Sequence, residues 1–408
     1  MTSRSAIWLL AVGVLAAYCA LSVGPAQARP VVVETISLGP LGRVPVAVAV
    51  NPSSHRVYVA NTESDSISVV DGDTYSVVAN VTVGKGPQTV AVNSTTNRIY
   101  VANLRSDTVS VIDGTTNVVT KTLAVGGCPD AVAVDPSSNR IYVANWCRAN
   151  VSIIDGATDT VVGSLPAGDS PSGLAINPRT NRLFASNLFN MTISVIDLEN
   201  GVVETTVPVG ERPVGLAIDP DSNRIFVANL FSDSVSVVDG GTNAVAATIP
   251  VGEGPESVAI NPEAGRLYVS NRHGSSISVI DIDSSTVAYT VDLKYEVSGL
   301  GADNVTDRVY VAVPYGSKLI VIEDRATGAG TPTPTPTPPT TPSPVVPPTA
   351  EPQLAAATPP LKPIIQPATG GGSRRVDRGW PLDVTLGLAG AALLALASAI
   401  VLERRRGR

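Results

Sequence analysis

The sequence predicts an all-β fold: a seven-bladed β-propeller of four-stranded antiparallel blades. Three observations carry this. First, a phrase of the form "NRIYVAN" recurs at a constant step of 42 residues, with its aromatic residue at Tyr58, Tyr100, Tyr142, Phe184, Phe226, Tyr268 and Tyr310 and its Arg at Arg56, Arg98, Arg140, Arg182, Arg224, Arg266 and Arg308. A fixed period of this size marks a repeat architecture. Second, each unit holds four short Val/Ile-rich runs separated by turn chemistry, which is the content of one propeller blade. Third, the last unit stops after three runs, while the segment after the N-terminal apolar stretch supplies one run that belongs to no unit.

Taken in chain order, residues 1–28 carry Arg4, the apolar run "AIWLLAVGVLAAYCALSV" and "AQA" at Ala26–Ala28. This pattern is that of a secretory signal peptide cleaved after Ala28, with an uncleaved anchor as the competing expectation. Cys19 leaves with the signal. Cys128 and Cys147 then remain in an oxidising compartment.

The propeller is expected over residues 29–326. In the second unit the four runs are "TVAVN" (89–93), "RIYVAN" (98–103), "TVSVID" (108–113) and "NVVTKTLAV" (117–125). Asn51-Pro52, Asp135-Pro136 and their counterparts end the first run, and Asp71-Gly72, Asp113-Gly114 and their counterparts end the third; such pairs tolerate tight reversals. The seventh unit has only "VSGLGA" (297–302), "RVYVAV" (308–313) and "KLIVIED" (318–324). The orphan run "VVVETISLG" (31–39) matches fourth-run text such as "VVETTVPVG" (202–210). The N-terminal strand is therefore expected to complete the last blade and leave no open ring edge.

Residues 327–384 follow, rich in Thr and Pro. Alternating Thr-Pro favours extended polyproline II, and forty such residues would reach on the order of 120 Å. Thr385–Leu402 is uncharged and long enough to span a bilayer as a C-terminal transmembrane helix, and Arg404, Arg405 and Arg406 place the 403–408 tail in the cytoplasm.

Two family resemblances rest on these residues. "NRIYVAN..SDTVSVIDG" resembles the YVTN-type β-propeller repeat, with Ala in place of the family's Thr, over residues 31 to about 325. The resemblance implies an extracellular or surface-layer-associated propeller. The related superfamily also includes lactonase-like and quinoprotein propellers. The C-terminal forty or so residues resemble a sortase sorting signal, with a candidate motif at Gln366, Pro367, Ala368, Thr369 and Gly370; Gln366 stands where the motif has Leu, and Arg374, Arg375 and Arg378 interrupt the approach to the span. Wall attachment and a plain membrane anchor both follow from such a tail, and both put the protein at the outer surface.

Composition excludes several functions. The 408-residue chain has a net charge of -7, with 15% charged and 44% hydrophobic residues. No basic block lies in the repeats, so nucleic acid is not an expected partner. Two His, His55 and His273, are too few for a His-rich metal centre. No phosphate loop, zinc spacing or triad-like arrangement is visible, so no catalytic residue is assigned and an enzyme is not the expected reading.

The repeated polar residues are expected to be scaffold that braces turns and strands within each blade: the Arg of all seven units, the Asn of six, with Val313 in the seventh, and the Asp of six, with Glu323 in the seventh. Function is expected where the copies disagree, in the pair after each "YVAN". These pairs place Trp146, Phe189 and Phe231 on consecutive blades, with Arg148, Arg272, His273 and Tyr315 extending a crescent suited to glycan or protein recognition. The competing expectation is that the rings pack as loop cores. Cys128 and Cys147, in two loops of the same face, are expected to form a disulfide. Near the axis, the loops entering the first strand carry Lys85, Asp130, Asp169, Glu211, Arg212, Glu253, Glu256 and Glu296. Converging carboxylates suit Ca²⁺, while a solvated acidic rim is the competing expectation; no other cofactor is expected. The functional expectation is a surface-anchored binding or scaffold module. Its rivals are a lactonase-like hydrolase with a metal on the axis and a passive surface-layer protein.

Overall fold

The computed structural model describes residues 29–324. Local chemistry sets where its strands reverse. The residue before each repeated Arg sits in the left-handed region: His55, Asn97, Asn139, Asn181, Asn223, Gly265 and Asp307 have φ of 51–64°. Asn, Asp and Gly tolerate this conformation better than other residues. The Asp closing the third strand caps its own turn. Asp113 Oδ1 accepts the backbone N–H groups of Thr115 and Thr116, both at 2.9 Å. Asp71, Asp155 and Asp239 do the same. These N–H donors hold the four carboxyls below the ordinary aspartate range.

The described residues form seven four-stranded antiparallel sheets. We number the blades by their innermost strands: Pro45–Asn51, Pro87–Asn93, Pro129–Asp135, Pro171–Asn177, Pro213–Asp219, Pro255–Asn261 and Leu300–Asp303. Blade seven is completed by the N-terminal strand. Val31–Ser37 pairs antiparallel with Lys318–Glu323, from Val31 opposite Glu323 to Ser37 opposite Lys318. The pairing skips Val33, the third residue of its strand; blades two and three skip Thr120 and Val162, also third in theirs. The closing strand thus keeps the bulge of an ordinary outer strand.

The seventh inner strand starts later than its sequence suggests, at Leu300 rather than Val297. Gly299 instead donates its N–H to the Val46 carbonyl of blade one at 2.9 Å. A Cβ on Gly299 would lie 2.4 Å from that oxygen, so only glycine permits the approach.

The hydrophobic core is divided among the blade interfaces. Tyr58 packs with Ile99 and Val101 of blade two, Tyr100 with Ile141 and Val143 of blade three, and Tyr142 with Leu183 of blade four. Phe184, Phe226 and Tyr268 continue the series against blades five, six and seven. Tyr310 then packs with Val57 and Val59 of blade one and closes the ring. The aromatic of the repeat is therefore the wedge between neighbours, and burying each ring removes a large apolar area from water.

The repeated Asn and Arg braces differ in reach. Asn103 Nδ2 donates to Thr108 Oγ1 at 3.1 Å and Ser110 Oγ at 3.0 Å within its own blade. Where Val313 replaces this Asn, Ile320 replaces the serine, so donor and acceptor are exchanged together for an apolar contact. The Arg braces its own blade, as expected, where Arg182 pairs with Glu204, Arg266 with Asp281 and Arg308 with Glu323, and it also reaches outward. Arg182, Arg224 and Arg308 donate to the backbone oxygens of Gly240, Ile282 and Gly72 on the next blade, at 3.0, 2.6 and 2.9 Å, and Arg98 pairs with Asp159 of the next blade. Arg56 keeps the expected pairing with Asp71 of its own blade.

The signal segment (1–28), the stalk (327–384), the sorting motif (366–370), the span (385–402) and the basic tail (403–408) lie outside the described residues. No helix among the described residues is long and apolar enough to cross a membrane.

Candidate functional site

The divergent pair after the second strand is held on one face by a repeated hydrogen bond in blades one to six; in blade seven it begins with Pro314, which has no N–H to donate. Trp146 N–H donates to the Cys128 carbonyl at 3.0 Å, Leu188 to Ser170 at 3.2 Å, Leu230 to Arg212 at 3.0 Å and Arg272 to Gly254 at 2.8 Å. Each acceptor immediately precedes its blade's inner strand. The two loops of a blade thus form one unit on the same face.

On blades three to five the unit presents a continuous stack. Trp146 and Phe189 have ring centroids 6.2 Å apart with planes tilted by 51°. The Arg212 guanidinium carbon lies 5.2 Å from the centroid of Phe189 and 4.9 Å from that of Phe231. Phe189 is 49% and Phe231 39% exposed, so these rings are not loop cores. Arg212 has φ of 52°, at a position filled by glycine in blades two and six, Gly86 and Gly254. An L-residue there costs about 1 kcal/mol of strain. Sequence reading placed Arg212 with the axial charges; its role between two rings depends on the angle between blades four and five.

The other expected crescent residues separate from this stack. Exposed Arg148 lies over Gly127 of blade three. Exposed His273 covers Gly254. Arg272 and Tyr315 turn toward the axis and line a cavity there. Cys128 and Cys147 are joined by a disulfide with Cα atoms 5.4 Å apart. It ties together the two loops that carry Trp146, and closing a loop of this length contributes about 3 kcal/mol.

The axial cavity has a volume of about 380 Å³ and is walled by the inner strands of all seven blades. One repeat position on this wall, the second residue of the inner strand in blades one to six, varies from blade to blade: Val46, Gln88, Asp130, Ser172, Val214 and Glu256, with Ser298 just ahead of the strand in blade seven. Glu256 Oε1 accepts from Arg272 Nη1 at 3.1 Å, and Arg272 Nε donates to Glu296 Oε1 at 2.7 Å. The Glu256 and Glu296 carboxylates push the Arg272 pKa upward and keep it charged. Burial, with Glu256 as a like charge nearby, pushes the Asp130 carboxyl up to about 7. Asp130 is half-buried and lines the channel.

The remaining axial candidates do not converge. Lys85, Asp169, Glu211 and Glu253 are exposed and do not line the cavity. Among the described residues, no three His, Cys, Asp or Glu side chains come together as a metal-ion site. The donor set at the axis is two carboxylates, one of them already paired with Arg272, which does not fit the six or more oxygens Ca²⁺ takes.

No family model matches this chain, and no curated protein matches it either. A solved structure titled Kuenenia stuttgartiensis Hydrazine Synthase is similar in fold, with a TM-score of 0.63 and 20% sequence identity over 69% of this chain and 95% of that one. At that identity the likeness is one of fold alone, the all-β seven-bladed propeller described above.

Proposed function

We propose that this protein is a YVTN-type propeller held at the outer face of the cell envelope, where it serves as a binding module for a glycan or protein partner. The N-terminal signal pattern, the Thr/Pro stalk and the C-terminal apolar segment with its basic end support the location. The observation that carries the binding role is the Trp146–Phe189–Arg212–Phe231 stack, in which the two Phe rings are exposed and Trp146 and Arg212 half-buried. Apolar rings that remain in water beside a guanidinium held between them offer faces for stacking and donors for oxygen acceptors. Among the described residues neither Arg148 nor Arg212 forms an ion pair with a carboxylate. A partner bearing carboxylates or other anionic groups suits these two guanidiniums.

An array of envelope glycans and extracellular proteins, probed with the full chain, tests this reading. Saturable binding that is lost in Trp146→Ala and Phe231→Ala, with the fold intact by circular dichroism, is the expected result. Binding that both variants retain removes the stack from the site. Ordered self-assembly with no ligand bound favours the passive surface-layer role instead.

A further inference from the structure

The axial cavity is separate from the aromatic stack and has a chemistry of its own. Seven blades supply one residue each to its wall at this repeat position, the second of the inner strand in blades one to six and Ser298 ahead of the strand in blade seven, and only two of the seven are charged, Asp130 and Glu256. They sit three repeats apart, on blades three and six, which puts them across the channel from one another. Among the described residues the Asp130 carboxylate has no hydrogen-bond or ion-pair partner, and the charge acting on it is the like-charged Glu256. Glu256 Oε2 is shielded from solvent and also lacks a hydrogen-bond partner. Arg272 does not fill this role, because Glu256 Oε1 and Glu296 already take it. Asp130 therefore faces the like-charged Glu256 with no guanidinium of its own among the described residues.

The Asp130 carboxylate and the second oxygen of Glu256 leave acceptor capacity unused, which costs stability unless something supplies the donors. A donor group that carries positive charge answers both deficits at once. A metal ion fits poorly, as the donor set shows. The cavity is of the size that takes small organic molecules. Tyr315, 63% exposed at the mouth beside Arg272, adds a ring face toward an entering group.

We propose that the axial cavity is a binding site for a small organic cation, a primary ammonium held between the carboxylates of Asp130 and Glu256. The ammonium donates to the free oxygens of both, its alkyl part lies along Val46 and Val214, and Arg272 fixes the Glu256 carboxylate in place.

Isothermal titration calorimetry on the full chain at pH 8 tests this, with pentane-1,5-diamine as the probe and pentane-1,5-diol and CaCl₂ as comparisons. The expected result is one saturable site for the diamine and none for the diol. Glu256→Gln and Asp130→Asn should each weaken diamine binding at least about tenfold, since hydrogen bonds to charged groups are worth that much. Both variants are isosteric, and Asp130→Asn also relieves a like-charge contact, so a folded protein is available for the test. Absence of diamine binding to the wild-type chain, equal binding of the diol, unchanged binding in both variants, or saturable Ca²⁺ binding in place of the diamine each overturns the proposal. Trp146→Ala should leave the diamine isotherm unchanged, which separates this site from the aromatic stack.

Discussion

Arg308 of blade seven donates a hydrogen bond to the backbone oxygen of Gly72 in blade one at 2.9 Å, across 236 positions of sequence. The same donor–acceptor pair recurs between consecutive blades 58 positions apart, from Arg182 to Gly240 and from Arg224 to Ile282. The seam between the last and first blades is thus built like an internal one. Tyr310 wedges into Val57 and Val59 there as Tyr58 does into Ile99 and Val101.

Ring closure also depends on the N-terminal strand, whose Ile36 and Leu38 are buried in the same seam as Tyr310. Deleting residues 31–39 removes both and exposes the Lys318–Glu323 edge. The melting temperature should fall by at least about 10 °C, given the few degrees that each kcal/mol is worth in a domain of this size. Scanning calorimetry of the deletion variant is the check; melting at the parent temperature would show that the strand is not part of the closure.

The interblade aromatic contributes through its ring. Tyr58 is fully buried and its hydroxyl has no hydrogen-bond partner among the described residues, while blades four and five use Phe184 and Phe226 at the same position. Tyr58→Phe should therefore leave stability unchanged or raise it, because it removes an unsatisfied polar atom. Tyr58→Ala should cost about 3–5 kcal/mol through the cavity it opens. Chemical denaturation of both variants separates these outcomes; a large loss in Tyr58→Phe would assign the hydroxyl a structural role.

Asp130 makes stability depend on pH in a direction opposite to the turn aspartates. Its carboxyl is pushed up to about 7, so the folded state holds this proton more tightly than an unfolded chain does. Ionising it as pH rises from about 4 through 7 costs folded-state stability, and the cost is complete above that range. Glu256 is the charge that acts on Asp130, and Arg272, held by Glu256 and Glu296, lines the same channel. Asp130→Asn should therefore raise the melting temperature more at pH 8 than at pH 4.5. Asp71, Asp113, Asp155 and Asp239 have depressed values; what they contribute is present at neutral pH and is lost as pH falls below the ordinary carboxylate range. Thermal melts of wild type and Asp130→Asn across pH are the measurement; an equal gain at both pH values would refute the buried-charge account of Asp130.

Much of this architecture was legible because repetition multiplies weak local signals. One run of "RIYVAN" is ambiguous, but seven in phase define strands, turns and blade count together. The unmatched run at 31–39 and the missing fourth run after Asp324 identify the closure by arithmetic. The proximity of Cys128 and Cys147 followed from the loops of a single blade, which are local in sequence.

What only the tertiary structure decided lies between blades. The repeated Arg reads as an internal brace, which Arg182 and Arg308 keep through Glu204 and Glu323, and only the packing angle also carries their guanidiniums to the neighbouring turn. Trp146, Phe189 and Phe231 are visible as a series, yet Arg212 enters it only because adjacent blades set the two Phe rings on either side of that guanidinium. Arg272 and Tyr315 leave the series for the axis for the same reason. Asp130 and Glu256 stand 126 residues apart in the chain and share one channel because seven blades close into a ring. Sequence period determines how many blades there are; the rotation from each blade to the next, set by side-chain packing at every interface, determines which residues meet.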